Sequence, residues 1–367
     1  MDLYVKGKKP ILYITIKINK TAVLFDVMEI KLVWFDSMGA KSACTLIKTK
    51  DTSILIDPGA AAMQPSYPLP KEKKIFYKKK AMENIINTSK EAEFIVISHY
   101  HYDHYSSPLS NKELYEGKEL WIKDPNQWIN LSQWKRGRKF LEELCFAFNG
   151  NLKTKDSEKK IFEDPFDELD IAKNKDFGKY QSRREELLDK WRKNFISLTN
   201  HWSTNEWIEE PILENASVYF ADGKKMKIGD TTIRFTKPLF HGIEYARTGW
   251  VIATIVECNG EKIIHSSDLQ GPVIEDYAQW LIDEKPDILI LDGPATYLLG
   301  YMLNKINMNR IIQNACRISK EGNPGLMIYD HHLLRGKKFR ERTEEVWLKN
   351  VTTAAEYNRE EPLISRL

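Results

Sequence analysis

Three of the eight histidines in this 367-residue chain fall inside one heptapeptide, SHYHYDH, as His99, His101 and His104, with Asp103 beside the last. Imidazole nitrogen and carboxylate oxygen are donors that Zn²⁺ accepts at about 2.0–2.2 Å, and this short loop offers four of them. Three desolvated imidazoles so close together are costly unless something compensates them, so the spacing points to a metal rather than to structural histidines. The residues just before them, 94–98, form a short apolar β-branched run that reads as a buried strand. Chemistry therefore begins where a strand stops.

The elements that must position this loop can be read on either side of it. Residues 32–57 hold two β-rich segments around a polar turn at 48–53 and end in Asp57-Pro58-Gly59, a hairpin that delivers an acid to a strand end. Residues 71–90 read as a basic helix. Residues 118–140 interleave Trp121, Trp128 and Trp134 with Lys123, Lys135, Arg136 and Arg138. That pattern could form a nucleic-acid face, although tryptophans more often pack inward. Across 151–200, 23 of 50 residues are charged, 12 basic and 11 acidic, which suggests an inserted, partly helical arm. Its best helix has Ser182 and Glu185 at capping-box spacing, with Leu187, Leu188, Trp191 and Phe195 on one face to dock on the main body. Strands follow at 226–228, 232–235, 251–258, 263–266, 288–291 and 326–329.

Composition excludes several classes. With 42% hydrophobic and 29% charged residues the chain can bury a core, and 55 Lys+Arg against 52 Asp+Glu leave a formal charge of only +3. Any basic surface must be local. Cys44, Cys145, Cys258 and Cys316 are too far apart for a metal knuckle or a disulfide framework, so a reducing, cytoplasmic location is expected. No apolar stretch is long enough for a membrane helix.

The heptapeptide preceded by Asp57 in LIDPG resembles the metallo-β-lactamase superfamily. The segments SMGAKSACTLIKTKDTSILIDPG, IKDP, SSDLQGP, LDGPATYLLG, DHHLLRG and VTTAAEY narrow the likeness to an uncharacterised, mainly archaeal family of predicted metal-dependent hydrolases. The resemblance implies an α/β fold, the αββα four-layer sandwich, as one domain over residues 28–367. A charged insertion at about 141–216 is longer than the family pattern, and residues 1–27 are expected to be a dispensable extension. It also implies a ligand set: His99, His101 and His241 for one metal, and Asp103, His104 and a C-terminal histidine for a second. Asp268 would bridge the two. His331 is the first choice for the last ligand; His332 is the alternative, or a proton donor to the leaving group. Asp57 would orient a ligand imidazole. Asp292 in LDGP is either a site residue or a turn residue, while His201 and His265 default to structural roles. Gly336 stands where an acid would be usual, which removes one supporting contact.

The chemistry so implied is hydrolysis at a dinuclear, zinc-containing centre, with a bridging hydroxide as nucleophile and catalytic roles for Asp103, Asp268 and His332. A phosphodiester, in a small molecule or an oligonucleotide, is the expected substrate. A lactone or thioester, or a non-catalytic role in holding nucleic acid, is the alternative. Flavodiiron relatives carry glutamate at the position of His101, which argues against redox chemistry. Only 63 residues separate Asp268 from His331, too few for the inserted domain of the β-CASP nucleases.

Overall fold

The computed structural model describes residues 28–158 and 160–367. The expectation for residues 1–27 lies outside them. The chain opens with β1 (Glu29–Phe35), β2 (Ala43–Lys48) and β3 (Ser53–Ile56), paired antiparallel in sequence. After helix α1 (Lys71–Ser89), β4 (Phe94–Ile97) and β5 (Lys118–Ile122) add in parallel. The path then leaves the sheet through α2 (Leu131–Ala147), β6 (Thr154–Lys155), α3 (Asp170–Asn174), α4 (Gln181–Thr204) and β7 (Trp207–Ile208). It returns as β8 (Ala216–Phe220), which lies parallel to β5 and completes the order β1-β2-β3-β4-β5-β8.

The second sheet starts with β9 (Lys225–Ile228) and β10 (Thr231–Phe235). A small ladder, β11 (Leu239–Phe240) with β12 (Trp250–Val251), interrupts it before β13 (Thr254–Cys258) and β14 (Glu261–His265). Helix α5 (Glu275–Glu284), β15 (Ile288–Leu291), α6 (Lys305–Arg317), β16 (Leu326–Tyr329), α7 (Phe339–Arg342), β17 (Val351–Thr352) and α8 (Ala354–Tyr357) follow, giving the order β17-β16-β15-β14-β13-β10-β9.

Side-chain alternation explains the layering. Ile54 and Ile56 of β3 share one buried cluster with Val96, Val256, Ile263, Ile288, Ile290 and Ile328, which fills the space between the two sheets. Leu55, Ile95 and Ile97 face the other way and share a cluster with Ala81 and Ile85 of α1, as Ile264, Leu289 and Leu291 do with Ala278 and Leu281 of α5. The strands β4 and β15 are almost wholly buried, as parallel strands covered on both faces must be. The result is the expected αββα sandwich.

Local details differ from the sequence reading in two places. The run 251–258 is two strands, because the chain changes partners between β12 and β13. Helix α4 starts at Gln181 behind a 3₁₀ turn, Gly178–Tyr180, so Ser182 lies inside the helix, exposed, and cannot cap it. Leu188 and Phe195 of that helix are buried, and Trp191 packs partly buried against the same core, so this face does dock. Trp128 stacks on Phe195 and Trp121 on Tyr219, while Trp134 is buried; Lys123 is buried too, paired with Asp222. The tryptophans of 118–140 thus belong to the interior. The four cysteines are buried and unpaired. Among the described residues no helix is long and apolar enough to cross a membrane.

Candidate metal centre

Every donor singled out in the sequence sits just beyond the C-terminal end of a strand. Asp57 follows β3, His99 to His104 follow β4, His241 follows β11, Asp268 follows β14, Asp292 follows β15, and His331 and His332 follow β16. The sandwich therefore gathers them at one edge. The close approach of the LIDPG loop to the histidine loop requires glycine, since a Cβ on Gly59 would lie 2.2 Å from the Tyr105 nitrogen.

One atom each of His99, His101, His241 and Asp268 lie within 4.8 Å of one another, and the same is true of Asp103, His104 and His331, and of Asp268, His331 and His332. Asp268 joins the groups. Its Oδ2 is 3.1 Å from His241 Nε2, 3.4 Å from His99 Nε2, 3.3 Å from His104 Nε2 and 3.7 Å from His332 Nε2, and its Oδ1 is 3.6 Å from His331 Nε2. Yet both Asp268 oxygens and His104 Nε2 are buried without a hydrogen-bond partner. A buried carboxylate left so is costly. A cation among these donors removes the deficit, so the residues present fit a metal.

The supporting contacts set the orientation of each imidazole. Asp57 Oδ2 is 2.9 Å from His104 Nδ1 and also accepts the Ser98 hydroxyl at 2.7 Å, and that hydroxyl lies 3.0 Å from His99 Nδ1. Asp36, which the sequence reading missed, lies 2.9 Å from His331 Nδ1 and accepts the His332 backbone N–H at 3.0 Å. Its carboxylate also pairs with Arg335. Arg335 in turn reaches Asp103 Oδ2 at 3.2 Å and His331 Nε2 at 3.1 Å, so it finds its acids without one at position 336. Asp292 faces His332 Nδ1 at 3.3 Å and accepts the Gln270 N–H at 2.7 Å, so it stands beside the histidine cluster. Gln133 of α2, also missed, ties two ligand loops together: its Oε1 accepts the Tyr100 N–H at 2.9 Å and its Nε2 donates to the Thr248 carbonyl at 2.6 Å.

Burial pushes the His99 and His332 imidazoles well below their ordinary range, and His101 down to about 3, so these rings are neutral and ready to ligate. Burial opposes protonation of His104 as well, but Asp268 and Asp57 together hold it well above the usual value. Asp268 itself is held well below the carboxylate range by His104, His332, His331 and His99, against the push of burial. His265 and His201 stand apart from this centre. His265 contacts the Ala43 carbonyl at 2.9 Å from β14, and His201 on α4 packs against Trp134.

His241 is anchored from behind. Three residues on, Glu244 is buried and bound by Arg310 of α6 at 2.7 Å and by Arg184 of α4 at 3.0 Å. Arg310 also grips Glu275 at 2.7 and 2.9 Å, and Lys175 completes the cluster at 2.7 Å from Glu275. The Thr248 hydroxyl donates to the His241 carbonyl at 2.7 Å. The charged segment therefore contributes buried ion pairs to the loop that carries a candidate ligand.

The chain is similar to known proteins along most of its length. The profile of the Metallo-beta-lactamase superfamily matches residues 39–107, which hold the LIDPG and SHYHYDH loops. A metallo-beta-lactamase fold protein, YhfI from Bacillus subtilis, aligns over 89% of this chain and 95% of its own at 12% identity, with a TM-score of 0.43. A UPF0282 protein of Methanopyrus kandleri is 30% identical over 90% of this chain and 93% of its own length. Another, from Methanocaldococcus jannaschii, is 33% identical over 84% and 85% respectively. With that identity along most of both chains, this chain belongs to the UPF0282 family.

Proposed function

We propose that this protein is a metal-dependent hydrolase whose two zinc ions are held by His99, His101 and His241 on one side and Asp103, His104 and His331 on the other. Asp268 lies between them. The observation that carries this reading is the buried Asp268 carboxylate, unpartnered at both oxygens amid five imidazoles. Seven such donors exceed what one tetrahedral ion accepts. When bound, the metals supply a hydroxide nucleophile at neutral pH and Lewis-acid stabilisation of charge on the attacked and leaving oxygens.

The chain's own residues do the rest. Arg335 places a fixed positive charge beside Asp103, and Lys41 is close enough to feel both that charge and the Asp103 carboxylate. Arg335 is already engaged by Asp36 and Asp103, so Lys41 is the cation that favours an anionic reacting group such as a phosphodiester. His332, kept neutral by burial and flanked by Asp292, faces Asp268 through Nε2 and is suited to take a proton there rather than to deliver the one that the sequence reading assigned it. The inward packing of Trp121, Trp128 and Trp134 takes away a base-stacking surface there, which favours a small diester over a long nucleic acid. A lactone or thioester is the second reading, favoured by a mostly apolar cleft beside His241. The buried, unpaired cysteines suit a reducing cytoplasm.

Metal analysis of protein purified without chelator, joined to an activity screen over diester, lactone and thioester substrates, tests the proposal. About two zinc ions per chain are expected. Asp103→Ala and Asp268→Ala should abolish turnover in a folded protein, whereas His201→Ala should be nearly silent. Active protein that never exceeds one metal, or equal losses in all three variants, refutes the dinuclear assignment.

A further inference from the structure

The cleft that opens beside His241 measures about 380 Å³. The loop after β11 contributes Ile243, the segment after β14 contributes Val273, and the chain between β15 and α6 contributes Leu298 and Leu303. Trp191 of α4 closes it from the charged insertion, and Ile311 of α6 lies within it. Among the described residues, no aspartate or glutamate lines this space. Beyond His241, its one ionic side chain is Arg247, which is exposed and makes no ion pair among the described residues.

A space of this size, mainly apolar and joined to the reacting centre through a candidate ligand, is what a small substrate's non-reacting arm fills. Between Leu298, Leu303 and Val273 a sugar hydroxyl would lose its water without regaining hydrogen bonds, although Thr248, Gln270 and Asn307 line other parts of the space. An apolar arm is therefore the better fit between these three side chains. Resting on the hydrolase reading above, we infer that the substrate is a small ester with a compact apolar arm, of phenyl or branched-alkyl size. That arm sits between Leu298, Leu303 and Val273 while the anionic group lies at Asp268. The insertion acts on specificity here, since Trp191 supplies part of the wall. Arg247 at the rim leaves room for a second negative charge on the arm but not for a positive one.

The test compares phosphonates that differ only in the arm, by calorimetry on the zinc-reconstituted full chain. Phenylphosphonate should bind at least tenfold more tightly than methylphosphonate, the usual order of discrimination for apolar groups in a fitted pocket. Thymidine 5′-phosphate should bind more weakly than phenylphosphonate. Leu298→Asp should reduce phenylphosphonate to the methylphosphonate level and leave methylphosphonate and zinc content unchanged. Leu303→Asp serves the same purpose if circular dichroism shows Leu298→Asp to be unfolded. Equal affinity for the two phosphonates, tighter binding of the nucleotide, or a preference that survives the aspartate overturns the inference. Failure of every ester to turn over would instead remove the hydrolase reading while this affinity comparison still stood, so the two fail separately.

Discussion

Glu244→Ala should destabilise the protein and loosen zinc binding together, although Glu244 is not a ligand. The side chain is 2% exposed, and its carboxylate takes Arg310 through both terminal nitrogens, at 2.7 and 3.2 Å, and Arg184 at 3.0 Å. Arg310 and then Arg184 hold its carboxyl below the usual range even though burial pushes it up. In the wild type, three cations, Arg184, Arg310 and Lys175, face two carboxylates, Glu244 and Glu275, so the cluster carries one net positive charge. Alanine leaves three cations against one carboxylate, with two guanidinium groups buried. Breaking a buried pair in this way costs about 3–5 kcal/mol. Over the roughly 340 described residues the unfolding entropy is about 0.7 kcal/mol/K, so the melting temperature should fall by about 4–7 °C. Because the loop from His241 to Thr248 is fastened through this residue, zinc affinity should fall by about 10-fold or more. Scanning calorimetry on metal-free and zinc-loaded protein, with chelator competition for affinity, reads both effects. Glu244→Gln, which keeps one acceptor oxygen, should fall between. A melting temperature within 1 °C of wild type together with unchanged zinc affinity would refute the clamp.

Zinc titration of the metal-free chain should show two steps, the second weaker. Arg335 holds Asp103 and His331 until they are claimed, whereas both oxygens of Asp268 lack partners; a single cooperative step would contradict this. Gly59→Ala should lose the second metal first, because the new Cβ would stand 2.2 Å from the Tyr105 nitrogen and 2.6 Å from the His104 carbonyl carbon; full stoichiometry in the variant would show that the loop yields. Glu284 is held at about 2, against the push of burial, by Arg234 and Lys262. Its folded value lies below the unfolded one, so its contribution is present above about pH 4.5 and fades as pH falls through 2. Screened by its partly exposed partners, it is worth about 1–2 kcal/mol, and the gap between wild type and Glu284→Gln in metal-free protein should close between pH 6 and pH 2. A gap independent of pH would exclude the ion pair as its cause.

How much of this was legible beforehand depends on where each partner lies in the chain. The heptapeptide from Ser98 to His104 announces itself because four donors crowd a loop behind one buried strand. His241, Asp268 and His331 do not; each is a lone residue at a strand end and gains meaning only as a member of an ordered set. The orienting acids are harder still. Asp36 is 295 positions from His331, and no window of sequence holds both. The charged segment misleads for the same reason. With 23 charges in 50 residues it reads as an inserted arm that docks only by the apolar face of its helix, yet Arg184 is buried against Glu244, 60 positions away, and Glu244 against Arg310, 66 positions beyond that. One local sign was nevertheless present. Asp36 in FDS follows β1 as Asp57 in LID follows β3, and both carboxylates turn to the Nδ1 atom of a histidine that follows another strand, His331 and His104. In a sandwich that collects strand ends at one edge, an acid just past a buried strand has few places to go except toward a cation or an imidazole there. On that physical ground alone, Asp36 belonged with Asp57 among the candidates.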